Sequence, residues 1–118
     1  MIIDWKKVKI FIKPGTVDFR KQINGLSAVA EIDMKQDIFT GALFVFCSTD
    51  RKKLKVLYWD RTGFCLWHKR LEKDRFPWPE TKDDALELTL DRFKLLLSGI
   101  DFFKAHKELK YQIPEKHK

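Results

Sequence analysis

Two strand-like runs separated by a turn place the strongest constraint on how this chain can fold. "LKVLYW" (residues 54–59) and "FCLWHKRL" (64–71) are rich in aliphatic and aromatic residues, and Asp60-Arg61-Thr62-Gly63 joins them. Aspartate at the first turn position and glycine three residues later suit a type I turn with a left-handed glycine, the usual three-residue hairpin loop. The sequence therefore predicts an antiparallel hairpin in which Asp60 opposes Phe64.

This register decides which side chains of the hairpin share a face, because alternate residues of a strand point to opposite sides. One face is predicted to be apolar and the other mixed: Leu54, Val56, Tyr58, Phe64 and Leu66 on the first, and Lys55, Leu57, Trp59, Cys65, Trp67 and Lys69 on the second. A two-residue loop would exchange the faces of the second strand.

The mixed face has two readings. Trp59 and Trp67 between lysines could form a surface that stacks bases and holds phosphates. Alternatively, the two tryptophans are core partners under a helix, and the lysines reach outward past them.

Hydrophobic periodicity predicts the remaining elements. Residues 8–13 alternate apolar and charged side chains, which indicates a half-buried strand ended by Pro14-Gly15. A helix capped by Thr16 or Asp18 is expected to run to about Asp33, with Gly25 allowing close packing on a sheet. The later elements are a central strand at 42–48, a short strand at 75–78, an edge strand at 86–88 and a helix at 90–98 capped by Thr89.

The order of these elements predicts an α+β fold. We expect an antiparallel β-meander of about five to six strands with two helices packed on it. A chain of 118 residues is most simply one domain, here predicted over residues 1–103. The charged tail at 104–118 has little periodicity and is expected to be flexible.

Basic charge is concentrated in the segment that contains the hairpin. The chain has a formal net charge of +7 and a pI near 9.5, and residues 51–75 carry nine basic and three acidic residues. Uneven basic charge is typical of a polyanion partner, although a solvated lysine-rich surface is the alternative. The candidate nucleic-acid contacts are Arg51, Lys52, Lys53, Lys55, Arg61, Lys69, Arg70, Lys73 and Arg75.

Catalytic, metal and cofactor functions have little support in the sequence. Asp18, Asp60 and Asp101 stand at turns or helix ends, where carboxylates are usually caps. Cys65 and His68 would point to opposite faces of a strand, and no second ligand pair follows them. No phosphate-binding or dinucleotide-binding glycine motif is present, so we expect neither enzyme activity nor a cofactor.

The distribution of apolar residues also bears on the cellular compartment. No apolar run approaches the roughly 18–20 residues that span a bilayer, and the N-terminal stretch lacks the apolar core of a signal peptide. We therefore expect a cytoplasmic protein with Cys47 and Cys65 as free thiols, although a disulfide stays open if their strands are neighbours.

A long stretch of the chain resembles a known family. "KLKVLYWDRTGFCLWHKRLEKDRFPWP" (53–79) resembles the small accessory proteins, called TnpB, of the insertion sequence 66 family of bacterial transposable elements. Supporting stretches keep their order: "DFRKQINGL" (18–26), "LFVFCS" (43–48) and "LLLSGIDFF" (95–103). The resemblance spans roughly residues 10–103, and its core is W-D-x-x-G-x-x-L-x-x-K-R-L-E.

Fourteen positions match the family's signature. They are Asp18, Arg20, Lys21, Gly25, Trp59, Asp60, Gly63, Lys69, Arg70, Leu71, Glu72, Phe76, Trp78 and Pro79. Two positions depart from it, Phe19 where methionine is common and Asp74 where a turn glycine is usual. Aspartate tolerates a left-handed backbone better than most residues, so the turn is expected to survive.

The resemblance implies a non-catalytic accessory protein that assists a separate, larger transposase. Two hypotheses follow. In the first, the protein binds DNA at the ends of the element through the basic segment at 51–75, and its affinity falls steeply with salt. In the second, it is an adaptor that docks on the transposase without touching DNA, which its small size and abundant aromatic residues favour.

Overall fold

The fold is built on a five-stranded sheet with the strand order β4-β3-β2-β1-β5. A computed structural model describes residues 6–99. Its strands are β1 (Ile10–Ile12), β2 (Leu43–Cys47), β3 (Lys53–Asp60), β4 (Gly63–Arg70) and β5 (Leu86–Leu88), and its helices are α1 (Ile23–Ala28) and α2 (Leu90–Leu97). The α+β prediction is confirmed. Over these residues, no helix is long and apolar enough to cross a membrane.

Strand β2 is the centre of the sheet, as its uninterrupted apolar run predicts. All five of its residues are buried. From β2 through β4 the chain forms the expected antiparallel meander, but β1 pairs with β2 in parallel, Ile10 beside Leu43. The sheet is therefore mixed, because the helical connection between β1 and β2 returns the chain to the end of the sheet at which β1 began.

Both faces of the sheet are covered. Helix α1 continues into a π-helix at Val29–Asp33, in which the Met34 amide donates to the Val29 carbonyl at 2.9 Å. Leu26 and Ala30 of this helical segment pack on Phe44 and Leu57, while Phe93 and Leu96 of α2 pack on the opposite face. Burial on both faces explains why β2 has no polar side.

The first helix begins later than predicted. It starts at Ile23, and neither Thr16 nor Asp18 caps it. The Val17 amide still donates to the Cys47 carbonyl at 2.9 Å, so the chain remains extended beside β2 at the position where the predicted helix would have begun. The Asp18 carboxylate accepts hydrogen bonds from the Arg20 amide and guanidinium instead.

Gly25 has a different role from the predicted one. A Cβ atom built there would lie 3.0 Å from the Lys21 Cβ atom and 3.1 Å from its Cγ atom, with no sheet residue among the nearest contacts. The glycine therefore makes room for the Lys21 side chain on the helix surface.

The segment that follows β4 is anchored without being a strand, contrary to the prediction for residues 75–78. Phe76 and Trp78 are buried, and the Trp78 indole N–H lies 2.9 Å from the Lys13 carbonyl and 2.8 Å from that of Gly15. The Gly15 amide in turn donates to the Pro79 carbonyl. Two prolines beside the tryptophan leave few backbone donors for a strand ladder, and side-chain anchoring replaces it.

Asp74 adopts the left-handed conformation expected at the position where the related family commonly has glycine. Its φ is 63°. The turn at 72–75 therefore survives the substitution, since aspartate is among the residues that tolerate this region.

Helix α2 and strand β5 agree with the prediction. The Thr89 hydroxyl accepts from the Arg92 amide at 3.2 Å, which is an N-cap contact. Gly99 follows the helix with a φ of 77°, which is typical of a glycine that ends a helix. Strand β5 pairs with β1 at the sheet's edge.

The predicted hairpin is present, but its register is wrong by one residue. Asp60 pairs with Gly63 and Trp59 with Phe64, so the loop contains only Arg61 and Thr62. Leu57, Trp59, Phe64 and Leu66 consequently share the face covered by α1, while Val56, Tyr58, Cys65 and Trp67 share the other. Trp59 and Trp67 lie on opposite faces, so neither reading of them as a pair holds.

The loop residue Arg61 has a φ of 54°, whereas Thr62 is not in the left-handed region. Glycine is the usual residue at the first position of such two-residue loops. We expect Arg61→Gly to raise the free energy of unfolding by about 0.5–1 kcal/mol, because a side chain disfavours this backbone conformation. Urea unfolding followed by tryptophan fluorescence measures the change.

Thr62→Gly is the matched control. The new glycine increases the conformational entropy of the unfolded chain, and Thr62 has no left-handed backbone to relieve. We therefore expect the free energy of unfolding to fall by about 0.5 kcal/mol. A gain of stability from both variants would contradict the conformational explanation.

Candidate nucleic-acid interface

The fold brings most of the predicted cations to one end of the sheet. There β2 ends, β3 begins and β4 ends, with Lys53 paired to Arg70 across the hairpin. The Leu71 amide donates to the Lys52 carbonyl at 2.8 Å, and the Phe76 amide donates to the Arg51 carbonyl at 2.7 Å. These bonds hold the 71–76 segment against the 51–52 turn. We call the cations gathered there the basic end: Arg51, Lys52, Lys53, Lys69, Arg70, Lys73 and Arg75.

Two of the predicted contacts do not belong to the basic end. Arg61 lies in the loop at the opposite end of the hairpin, about 23 Å away at the usual rise of a strand. Lys55 is only 3% exposed. Its Nζ donates to the carbonyls of Phe19 at 2.9 Å and Lys21 at 2.8 Å. The prediction that Lys55 contacts nucleic acid is therefore corrected, since its ammonium is already occupied inside the protein.

The burial of Lys55 has electrostatic consequences. Burial lowers the pKa of its ammonium, and the charge lies 4.8 Å from the centre of the Phe19 ring, a cation–π contact. Phe19 is one of the two departures from the related family's pattern, so the substitution gives Lys55 an aromatic partner.

The carboxylates of the basic end only partly offset its cations. Arg51 pairs with Glu80, and Arg70 Nε lies 2.9 Å from Glu72 Oε2. Among residues 6–99, ion pairs do not involve the other five cations, Lys52, Lys53, Lys69, Lys73 and Arg75.

Asp50 helps to shape the turn that begins the basic end. Its carboxylate accepts from the Ser48 hydroxyl at 2.6 Å and from the Lys52 amide at 3.0 Å. The hydrogen bond from Ser48 makes the largest contribution to lowering the pKa of Asp50. This acid thus fixes the backbone from which Lys52 projects.

The two hairpin tryptophans differ in exposure. Trp67 is 44% exposed on the edge strand β4, on the same face as Lys69 two residues later. Trp59 is half-buried, with Phe64 at 5.0 Å and Phe39 at 5.1 Å between ring centroids. Trp67 therefore offers an open aromatic surface beside a cation, and Trp59 belongs to an aromatic cluster.

A second group of cations and aromatic rings lies at the other end of the sheet, in a groove of about 720 Å³ that Phe39, Trp59, Lys7, Lys9 and Arg61 help to line. Sequence reasoning included Arg61 but missed Phe39, Lys7 and Lys9. Phe39 follows Ile38 in the otherwise polar stretch "KQDIFTG", which has no periodicity that would have indicated a surface role.

Several signature positions have structural roles. Trp78 and Pro79 anchor the segment after β4 to the end of β1. Asp18 and Arg20 form an exposed ion pair at 2.6 Å, and hydrogen bonds from Arg20 lower the pKa of Asp18 to about 2. Asp60 and Gly63 flank the hairpin loop. Part of the signature therefore specifies the fold.

The cysteines and His68 do not come together. Cys65 pairs with Tyr58 on one face of the hairpin, and His68 pairs with Lys55 on the other. Cys47 and Cys65 are free thiols, and burial raises the pKa of Cys47 to about 12. Within the described part of the chain, no three His, Cys, Asp or Glu residues are grouped as metal ligands.

The mixed sheet, its covered faces and its cation-rich end define a small α+β protein with a candidate anion-binding surface. Residues 8–107 match the family described as "IS66 Orf2 like protein". The chain therefore belongs to the IS66 Orf2-like family, the accessory proteins of IS66 transposition, which are not generally characterised as catalytic.

Two proteins from Sinorhizobium fredii (strain NBRC 101917 / NGR234) are similar to this chain over most of its length. Uncharacterized protein y4jC is 33% identical over 108 residues, which cover 92% of each chain. Uncharacterized protein y4hO is 33% identical over 102 residues, 86% of this chain and 89% of that protein. No solved structure matches the chain.

The contrast between Lys53 and Lys55 is testable, since the two lysines lie two residues apart on one face of β3. Lys55→Met removes the donor to two carbonyls while keeping the aliphatic stem, so we expect the free energy of unfolding to fall by about 2 kcal/mol. Lys53→Met, at an exposed site, is expected to stay within about 0.5 kcal/mol of the parent. Urea unfolding of both variants measures the difference, and equal effects would contradict the assigned role of Lys55.

Proposed function

We propose that this protein assists IS66 transposition by binding DNA through its basic end. The observation that carries the proposal is the convergence of seven of the nine predicted cations on one end of the sheet, five of them without an ion pair among residues 6–99. Phosphate groups are the complementary ligand for such a surface, because each neutralised phosphate releases condensed counterions.

The mode of binding follows from the types of side chain present. Lysine and arginine on turns reach phosphates without reading base edges, so they position a protein on DNA and carry no sequence information directly. Trp67 beside Lys69 adds an aromatic surface that is tolerant of sequence. The protein would hold the DNA of the element's ends, and the strand chemistry would belong to the separate transposase.

Removing charge from the basic end tests the proposal. The variant combines Lys52→Gln, Lys53→Gln and Lys73→Gln, three exposed lysines without ion pairs in the described region. Binding to a labelled duplex from the element's end is measured by fluorescence anisotropy across a salt series. We expect at least tenfold weaker binding, and a plot of log affinity against log salt whose slope is smaller in magnitude by about 2–3.

A charge-matched control uses exposed cations outside the basic end, Lys82→Gln, Arg92→Gln and Lys94→Gln. It changes the net charge equally but should leave the salt slope close to that of the parent. Equal slopes for the parent, the basic-end variant and this control would exclude the basic end as the DNA contact.

The second candidate function is an adaptor that docks on the transposase, and strand β4 favours it. Within residues 6–99, β4 pairs only with β3, so its eight residues present an open edge with Trp67 exposed on it. An open edge is a template for a strand added from another protein. The adaptor would use backbone hydrogen bonds along β4 and the exposed ring of Trp67.

A charge placed on this edge tests the adaptor. We expect Trp67→Glu to weaken co-purification with the transposase at least tenfold, because a charged residue on an edge strand opposes strand addition. The pull-down is done with nuclease and at high salt so that DNA cannot bridge the proteins. Leu95→Glu, at another exposed apolar residue on α2, is the matched control. A complex that survives Trp67→Glu, or one that both variants abolish, contradicts docking on β4.

A further inference from the structure

The groove at the end of the sheet opposite the basic end has the composition of a ligand site. It lies where β1 and β2 begin and β3 ends, and its volume is about 720 Å³. Ligand sites usually measure roughly 300–1,000 Å³. Three cations and several aromatic residues line it, among them Lys7, Lys9, Arg61, Phe39 and Trp59.

The aromatic wall of the groove is ordered and partly open. Phe39 packs edge-on against Trp59, with ring centroids 5.1 Å apart and an interplanar angle of 83°, and lies 5.7 Å from Phe64. These contacts hold the Phe39 ring, yet Phe39 is 56% exposed while its neighbour Ile38 is only 7% exposed. The chain therefore buries Ile38 and turns Phe39 outward.

The backbone around Phe39 is also fixed. The Phe39 amide donates to Asp37 Oδ1 at 3.0 Å, an Asx-type contact that sets the turn. If this segment served only to cover the core, the Phe39 ring would be buried. Instead, the ring is held in place and lines the groove.

The cations of the groove are not neutralised by ion pairs. Among residues 6–99, ion pairs do not involve Lys7, Lys9 or Arg61. Asp37 and Asp60 also line the groove, but Asp37 is hydrogen-bonded to the Phe39 amide. The Asp60 carboxylate is a suitable acceptor for the exocyclic amine of a base.

We propose that this groove binds an unstacked single strand of nucleic acid. One base lies against Phe39 and the exposed edge of Trp59, and the flanking phosphates contact Lys7, Lys9 and Arg61. Open aromatic rings beside cations suit a single strand better than a duplex, since the bases of a duplex are stacked on one another and offer no free face. The inference concerns a surface separate from the basic end and does not depend on DNA binding there.

Anisotropy with a labelled single strand of alternating dC and dT, about 12 nucleotides long to match the usual site size, tests the proposal. We expect Phe39→Ala to weaken binding about tenfold through the loss of one stacking ring. Arg61→Gly should also weaken binding and reduce the salt slope by about 1. It keeps the loop's backbone conformation available, so a loss of affinity there cannot be attributed to misfolding.

The controls separate this site from the proposed DNA contact. Ile32→Ala changes another exposed apolar residue, 68% exposed on the π-helix, and should leave single-strand binding unchanged. Phe39→Ala should leave duplex binding unchanged, whereas the triple lysine variant of the basic end should lose duplex binding and keep most single-strand binding.

Photocrosslinking gives a second readout that does not depend on affinity. A strand containing 5-iodouracil in place of thymine should crosslink to the peptides that contain Phe39 or Trp59. The proposal is overturned by crosslinks confined to Trp67, by single-strand binding that only the basic-end variant removes, or by the absence of single-strand binding at low salt.

Discussion

The arrangement of the side chains on strand β4 depends on the two-residue loop at Arg61-Thr62. This loop pairs Asp60 with Gly63 and thereby assigns each side chain of β4 to one face. Phe64 and Leu66 join the cluster under α1, and Trp67 is left on the opposite face at the sheet's edge. One more residue in the loop would reverse every one of these assignments. The left-handed backbone of Arg61 is thus the local cost of a register that packs the partly buried Phe64 and Leu66 under α1.

A second constraint creates the basic end. The segment after β4 has no strand ladder, yet it is tied to the start of β3 through the carbonyls of Arg51 and Lys52 and to the end of β1 through the Trp78 indole. These few bonds bring Lys73 and Arg75 next to Lys52 and Lys53. Buried Phe76 and Trp78 stabilise the arrangement, because burying a large aromatic side chain contributes about 2–3 kcal/mol. The surface charge therefore rests on an apolar anchor.

The sequence predicts the parts of this fold that depend on local pattern. Apolar runs and periodicity predict strands β2 and β5. The preferences of single residues predict the Thr89 cap and the left-handed backbone of Asp74. The hairpin's register is not predicted in this way, because D-R-T-G suits both loop lengths, and the sequence pattern alone does not distinguish the two-residue loop that places Phe64 and Leu66 under α1. The late start of α1 depends on the pairing of Val17 with β2, which is a contact between distant parts of the chain.

The candidate site, like the fold, can be predicted from the sequence only in part. The concentration of cations in residues 51–75 is visible in the sequence, and the structure keeps most of them together. The burial of Lys55 is not visible, because its two carbonyl partners come from residues 19 and 21, more than thirty positions earlier. The groove around Phe39 is also hidden, since its cations and rings come from the beginnings of β1 and β2 and the end of β3.

The separation of the two surfaces has a consequence for how a nucleic acid could engage both. Strand β3 runs from Lys53 at the basic end to Asp60 beside the groove, a length of about 23 Å. At ~3.4 Å per base pair, this distance equals roughly seven base pairs of duplex. A duplex held at the basic end would therefore have to open within less than one helical turn to place an unstacked base against Phe39. A junction between double-stranded and single-stranded DNA would meet this geometry, whereas a continuous duplex would offer Phe39 no unstacked base.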